Sequence, residues 1–253
     1  MIPRAECGTP SSFKTQSSDS AIRVTHLDYP VDPVRLRAAL HLALNAALFL
    51  FIHELAHVSR GHLVLLRTDF ARANYTEIPF EPLPVEEAEV RRALELDADE
   101  GAATGSFTIW KALYTRGAFP ALEPLGLEES WTISIVMLFR IITSMRSSSP
   151  DPSTASHPSP DTRLVHILHG ATYARSSINL DTVMSGMDSV KAWWARTGLS
   201  SGHVDASQDV HSELSSLRDV LARNSERLTE YARERSVRIL SERISEEQQP
   251  NNA

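Results

Sequence analysis

The segment HELAHVSRGH, residues 53–62, contains metal-binding side chains at the spacing that a helix requires. On a helix, residues i and i+4 share a face, so His53 and His57 can present two imidazoles to one metal ion. Glu54 lies about 100° further round the helix, where it can take a proton from a water in the ion's open coordination position. The pattern HExxH therefore predicts a metal site with a general base beside it.

A catalytic zinc ion normally takes three protein ligands, so a second segment has to supply one of them. The segment RALELDADEGAA, residues 92–103, offers Glu95 and Asp99 at positions i and i+4. Ala98 and Ala102 lie beside these carboxylates and are small enough to let two helices approach closely. An isolated ELDAD would indicate a solvated acidic face, but together with HExxH it predicts the rest of a metal site.

Two helices must position these side chains. Residues 34–59 contain neither Pro nor Gly and are rich in Ala and Leu, which favours one long helix. Asp32 and Pro33 before it suit an N-cap and a first helical turn. A second helix is expected from residue 85 to about residue 105. The sequence thus predicts a mainly α-helical fold in which the HExxH helix packs on a Glu-bearing helix, with little β structure beyond a short strand at residues 21–27.

HExxH, the Gly-His pair after it and ExxAD on a later helix resemble the gluzincin zinc metallopeptidases of the HtpX and CAAX-protease kind. They also resemble the Lit-type phage-exclusion peptidases. The resemblance implies a helical metallopeptidase domain with one zinc ion per chain. It assigns roles to five residues, with His53, His57 and Glu95 as zinc ligands, Glu54 as general base and Asp99 as the carboxylate that orients a ligand histidine.

A third segment, SHPSPDTRL at residues 156–164, is similar to the HPxxxxR element that these peptidases carry after the glutamate helix. The similarity places His157 in a loop over the active site and Arg163 at the start of the next helix. His157 would either occupy the open zinc position in a resting state or stay clear of the metal. The alternative is an ordinary exposed loop histidine.

Peptide hydrolysis also needs a hydrogen-bond donor that stabilises the oxyanion of the tetrahedral intermediate. His169 and Tyr173, on the helix after the HP element, are the candidates, followed by Arg163. His62, next to the helix-breaking Gly61, is expected either to touch the substrate or to cap the end of the HExxH helix.

Two apolar runs, at residues 38–52 and 131–145, raise the question of membrane insertion. Both are shorter than the roughly 20 residues that a spanning helix needs, and Arg140 interrupts the second. Both are therefore predicted to be buried helices of a soluble domain, the first of them buried all round. Membrane association is the alternative.

The bulk properties exclude some function classes. A net charge of −7 and a pI near 5.8 argue against a general nucleic-acid binder. The single cysteine, Cys7, cannot form an internal disulfide, and residues 1–20 lack the apolar region of a secretory signal. These features predict a protein of the cytoplasm, with a membrane-associated location as the alternative.

Three parts of the chain are expected. Residues 1–30 form a flexible N-terminal segment, residues 31–199 a zinc metallopeptidase domain with a mobile Ser/Pro loop at 147–162, and residues 200–253 an amphipathic helical segment. The predicted function is zinc-dependent hydrolysis of a peptide bond in an intracellular protein. The alternative is a non-catalytic zinc-binding or degenerate peptidase-like protein that acts through protein–protein interaction. An intact Glu54 disfavours this alternative, because a structural zinc site needs no base.

Overall fold

The computed structural model describes residues 32–70, 83–118, 126–145, 154–173, 179–197 and 208–247, and every regular element in these ranges is an α-helix. The prediction of a mainly α-helical fold is confirmed. The strand expected at residues 21–27 lies outside the described residues. The seven helices are α1 (Pro33–Ser59), α2 (His62–Phe70), α3 (Val85–Thr115), α4 (Leu127–Met145), α5 (Pro160–Tyr173), α6 (Leu180–Thr197) and α7 (Gln208–Glu247).

The start of α1 follows the expected capping pattern. Asp32 is the N-cap, and its side chain accepts a hydrogen bond of 2.9 Å from the backbone N–H of Val34. Pro33 occupies the first helical turn, where its missing N–H costs nothing. The helix then runs without a break through the HExxH motif.

The turn between α1 and α2 requires a glycine. Gly61 has a φ of 81°, a left-handed conformation that other residues rarely adopt. A Cβ atom at this position would lie 2.8 Å from the Cβ atom of Tyr231, so α7 leaves no room for a side chain. This turn sends the chain back beside α1 and decides where His62 lies.

Helix α3 is the centre of the fold, because it contributes to all three hydrophobic clusters of the described residues. The largest cluster joins α3 to α1, α4, α5 and α6, and it contains Phe49, Phe107, Trp131, Phe139 and Ile167. Two smaller clusters join α3 to α7 and to α2. A helix surrounded in this way holds Glu95 and Asp99 inside the molecule.

Helix α3 is longer than predicted, and the expected end at about residue 105 is wrong. Gly101 and Gly105 lie within the helix and face α1. A Cβ atom on Gly105 would lie 2.8 Å from Cγ2 of Ile52, and one on Gly101 would lie 3.3 Å from Cβ of Ala56. The two glycines therefore permit a close approach of α1, and this packing offsets their low helix propensity of about 1 kcal/mol each relative to Ala.

Helix α5 begins at Pro160, so the last residues of the predicted loop at 147–162 are helical and Arg163 lies in the first turn. The backbone N–H of Thr162 donates a 3.0 Å hydrogen bond to Oγ of Ser159, which makes Ser159 the cap, and Pro160 follows it. Residues 147–153 of the loop lie outside the described residues.

Helix α7 packs lengthwise on the rest of the fold. Its residues Val210, Leu214, Leu217 and Val220 form a cluster with Ala93 and Leu96 of α3. Leu228 packs with Leu65 and Leu66 of α2. The apolar stripe expected in this segment is therefore an intramolecular packing surface along residues 210–228. The division of the chain at residues 199 and 200 stays a prediction.

The prediction that α1 is buried all round is wrong for one of its faces. α1 is the one described helix whose length and composition would allow it to cross a membrane, and 22% of its most apolar stretch is buried. Leu44 and Phe51 are 50% and 64% exposed, whereas Phe49 is fully buried. Among the described residues, the other helices cover the side of α1 that carries the two histidines and leave Leu44 and Phe51 exposed.

Candidate metal centre

Three side chains from α1 and α3 converge in the interior. Nε2 of His53 lies 3.1 Å from Nε2 of His57, and these atoms lie 3.3 Å and 3.2 Å from the two carboxylate oxygens of Glu95. All three side chains are no more than 4% exposed. The structure thus brings together the two histidines of HExxH and the glutamate that lies 38 positions after His57.

These three residues could hold a metal ion, as their ligand atoms lie within 4.8 Å of one another. A tetrahedral zinc site with bonds of about 2.0–2.1 Å separates neighbouring ligand atoms by about 3.3 Å. The distance of 3.1 Å between the two Nε2 atoms is close to this spacing, and each nitrogen lies 3.2–3.3 Å from one of the two Glu95 oxygens. Two imidazole nitrogens and a carboxylate are also a donor set that catalytic zinc sites use. Geometry and chemistry therefore both fit a zinc ion.

Asp99 and Arg163 support the His53 and Glu95 side of the cluster. Nδ1 of His53 lies 3.0 Å from Oδ1 of Asp99, although its N–H is not well aligned with that oxygen. Arg163 donates two hydrogen bonds to the Asp99 carboxylate, at 2.8 and 2.7 Å, and its third nitrogen lies 3.3 Å from Glu95. One guanidinium therefore fixes both carboxylates, in the bidentate geometry that gives arginine pairs their directionality.

A second support lies behind His57. Its Nδ1 atom lies 3.0 Å from Nδ1 of His62, and Nε2 of His62 lies 2.9 Å from the Asp97 carboxylate. Arg60 donates to the other oxygen of Asp97 at 2.6 Å and to its backbone carbonyl at 2.9 Å. His62 is fully buried. It therefore lies behind a ligand histidine. The substrate-contact or helix-cap role suggested by the sequence stays a prediction.

The charges of the cluster follow from these contacts. Burial raises the pKa of Glu95 and Asp99, but the Arg163 guanidinium and the histidine rings outweigh burial and hold both values below their usual range. Burial lowers the pKa of His53, yet contacts with Asp99 and Glu95 raise it to about 9. Burial also lowers the pKa of His62. Both carboxylates are therefore ionised at neutral pH, and a metal ion that binds here has to displace the proton of His53.

The loop before α5 places His157 beside the cluster. Nε2 of His157 lies 3.7 Å from a carboxylate oxygen of Glu95, and its Nδ1 lies 2.7 Å from Oγ of Ser156. Arg92 of α3 donates a 3.0 Å hydrogen bond to the carbonyl of Ala155 and so ties the loop to the helix that carries Glu95. His157 is therefore close enough to the cluster for the gating or substrate-contact role that was predicted for it, although this role stays a prediction.

The remaining candidates are exposed residues or lie outside the description. Glu54 is an exposed residue of α1, immediately after the buried His53. His169 is exposed on α5, whereas the three ligand side chains are buried. The side chain of Tyr173 lies outside the described residues. The roles of His169 and Tyr173 as oxyanion donors stay predictions.

Sequence reasoning missed Asp97 and Arg60. In ELDAD, residues 95 and 99 share a helix face, and Asp97 lies on the opposite side, so helical spacing alone gave it no role. One signal was available, because Gly61 requires a turn that brings His62 back against the helices. A buried histidine next to a ligand histidine needs a carboxylate or carbonyl partner, and Asp97 supplies it.

The comparisons with known proteins agree with this geometry. No curated protein and no solved structure matches the chain significantly. A family model described as peptidase U49 matches residues 10–183, which is more than half of the chain and includes all three ligand residues. The chain therefore belongs to the peptidase U49 family.

Proposed function

We propose that this protein is a zinc-dependent endopeptidase that hydrolyses a peptide bond of an intracellular protein. The observation that carries the proposal is the convergence of Nε2 of His53, Nε2 of His57 and the Glu95 carboxylate at mutual distances of 3.1–3.3 Å. Membership of a peptidase family supports the reaction class and a protein or peptide substrate. One zinc ion per chain is the expected content.

A zinc ion held by these three residues would polarise the scissile carbonyl and lower the pKa of a bound water towards about 7. Glu54 then acts as the general base that accepts the proton of this water and returns a proton to the departing amine. The exposure of Glu54 supports this role, because the base must meet both water and substrate. Arg163 keeps Glu95 and Asp99 ionised and in place.

Three residues are proposed as hydrogen-bond donors to the oxyanion of the tetrahedral intermediate. His169 and Tyr173 of α5 are the candidates from the sequence. His157 is added because its Nε2 lies 3.7 Å from a carboxylate oxygen of the ligand Glu95. Each would act by donating a hydrogen bond to the carbonyl oxygen as negative charge develops on it. Peptidase activity of single variants at His157, His169 and Tyr173 should show which of them acts as the oxyanion donor.

The first experiment measures zinc content and peptide cleavage in the full chain. We expect one zinc per chain in the wild type and in Glu54→Gln, and much less zinc in His57→Ala and Glu95→Ala. A proteome-derived peptide library, read by mass spectrometry, should be cleaved by the wild type and left intact by Glu54→Gln.

Loss of a general base typically reduces the rate by about 10²–10⁴-fold. Peptidase activity retained in Glu54→Gln would contradict the base assignment. A folded wild type that takes up no zinc would contradict the metal assignment and favour the interaction-protein alternative.

A further inference from the structure

One side of α1 exposes apolar side chains over about four turns. We call it the α1 face and define it by its members, Leu40, Ala43, Leu44, Ala47, Leu50, Phe51 and Leu55. Its five large side chains are 40% to 64% exposed. The structure describes every residue of α1, and between residues 39 and 55 the one exposed polar residue of this helix is Glu54. Monomeric proteins rarely expose a contiguous apolar strip of this kind without a partner.

The α1 face leads directly to the proposed general base. Leu50 and Phe51 lie one helical turn before Glu54, and Leu55 follows it, so they surround the carboxylate on the exposed side of the helix. A substrate that approaches Glu54 along α1 therefore contacts these side chains. A molecule that binds this face must therefore leave Glu54 accessible to the peptide bond.

The described residues offer an extended substrate no strand to pair with, because all of their regular elements are helices. Main-chain pairing with a sheet edge is a common way to bind an extended peptide, and it gives little discrimination between side chains. Within the described part of the molecule, recognition must instead come from side chains. The α1 face supplies apolar contacts, and the charged side chain between residues 39 and 55 is Glu54.

The far end of the α1 face is basic. Arg37 is exposed one turn before Leu40, and Arg35 is exposed on the other side of the helix. The N-cap Asp32 is acidic, but no acidic residue occurs between Pro33 and His53, although the chain as a whole has a net charge of −7. From Arg37 to Glu54 the helix rises about 25 Å, at about 1.5 Å per residue. An extended peptide covers that length with about seven or eight residues.

We propose that the α1 face binds an apolar segment of the substrate protein, about seven or eight residues long, which has acidic residues at the end near Arg35 and Arg37. The segment leads the scissile bond to Glu54. This inference rests on the proposed peptidase function, since it assigns the substrate class of the same site. A second copy of the chain or a lipid surface on this face would cover Glu54, which makes the substrate the occupant that agrees with catalysis.

The test uses three fluorescent synthetic peptides of equal length and the Glu54→Gln protein, which is expected to bind without cleaving. Two peptides carry an apolar stretch of Ala, Leu, Val and Phe with three glutamates at one end or the other. The third has Ser and Gln in place of the apolar residues. Fluorescence anisotropy measures each Kd, and zinc content is measured in the same samples.

We expect at least one apolar peptide to bind more tightly than the polar one. Leu44→Ser combined with Phe51→Ser should raise its Kd by roughly tenfold or more, because both side chains lose apolar contact area. Val237→Ser is the matched control, as Val237 is 59% exposed on α7 and lies outside the α1 face. The control should leave the Kd unchanged, and none of these variants should change zinc content.

Equal binding of the polar peptide, or an unchanged Kd in the double variant, would overturn the docking proposal. If the wild type still cleaves peptides in that case, the peptidase function stands and only the docking surface falls. Binding to vesicles of equal parts phosphatidylcholine and phosphatidylglycerol that the double variant loses, with peptide binding unchanged, would assign the face to lipid. A dimer that the double variant converts to monomers in sedimentation would assign it to a second copy. Either result would overturn the proposal.

Discussion

At the scale of single residues, the proposed metal chemistry depends on which nitrogen of each histidine carries the proton. For Nε2 of His57 to face the ligand cluster with its lone pair, Nδ1 of His57 must carry the proton and donate it to Nδ1 of His62. His62 then carries its own proton on Nε2 and donates it to Asp97. Two contacts behind the ligand thus fix the tautomer that a metal requires.

Removal of the Asp97 carboxylate, which accepts the hydrogen bond of His62 behind His57, should weaken zinc binding. In Asp97→Ala, His62 loses the partner of its Nε2 proton, so we expect zinc affinity to fall by about 10–100-fold, measured by competition with a chelator. Asp97→Asn should recover part of the loss, because its amide oxygen can still accept. Asp69→Ala is a matched control, since Asp69 and Asp97 are both 23% exposed and both paired with an arginine. Equal zinc affinity in Asp97→Ala and the control would refute the role of Asp97.

A buried histidine away from the ligands should make stability depend on pH. Burial lowers the pKa of His166, whose Nε2 lies 3.1 Å from the carbonyl oxygen of Leu96. As pH falls below about 6.5, the unfolded chain takes up a proton that folded His166 does not, so the free energy of unfolding decreases by at most about 1.4 kcal/mol per pH unit. His166→Gln should remove this contribution. Urea unfolding at pH 7.5 and 5.5 would show a smaller decrease in the variant, and equal decreases would contradict the assignment.

At the scale of elements, the site depends on how closely α1 approaches α3. His53 and His57 lie on α1, and Glu95 lies on α3. Small residues at the contact let the two helices approach closely enough for the ligand atoms to meet. Gly105 is the closest of these positions, with 2.8 Å between an added Cβ and Cγ2 of Ile52. The glycines of α3 are therefore packing residues of the metal site.

A larger side chain at this contact should destabilise the protein. Gly105→Val forces Ile52 or the helices to move, and overpacking of this kind typically costs about 1–3 kcal/mol of unfolding free energy. Gly170→Val is the control, because Gly170 is also helical and an added Cβ meets no atom within 4 Å. Urea unfolding should show a loss in the first variant and none in the second. The same loss in both would show that the contact with Ile52 is not its cause, because valine has a higher helix propensity than glycine.

At the scale of the whole molecule, the described helices leave one apolar face of α1 exposed. The described helices α3 and α4 pack against α1 from the side of Phe49 and the ligand histidines, and they leave Leu44 and Phe51 to solvent. The composition of α1 would also allow it to cross a membrane, but its histidine side is occupied by protein. We therefore propose that the protein works in the cytoplasm, with α1 as part of the folded domain.

This location can be tested by fractionation of cells that produce the full chain. We expect the protein in the supernatant after ultracentrifugation, because the side of α1 that carries His53 and Phe49 is already packed against other helices. The double variant Leu44→Ser, Phe51→Ser should fractionate in the same way. A wild type found in the membrane pellet, and released by this double substitution, would show that the α1 face binds lipid in the cell.

The sequence by itself determined the ligand spacing and the main helices. The i, i+4 pairs at His53 and His57 and at Glu95 and Asp99 are local, and so are the cap at Asp32 and the lack of helix breakers in residues 34–59. Such features depend on helix geometry alone, which is why the mainly α-helical fold and the pairing of His53 with His57 could be predicted. The ligand role of Glu95 was implied by the resemblance to the gluzincin peptidases.

Only the tertiary structure decided which helix faces are covered and which distant side chains meet. His62 and Asp97 are 35 positions apart, and their contact depends on the turn at Gly61 and on the packing of α2 and α3. The continuation of α3 through Gly105 and the exposure of Leu44 and Phe51 likewise depend on what packs against each helix. Periodicity shows which residues share a face, but burial of that face is a property of the whole fold.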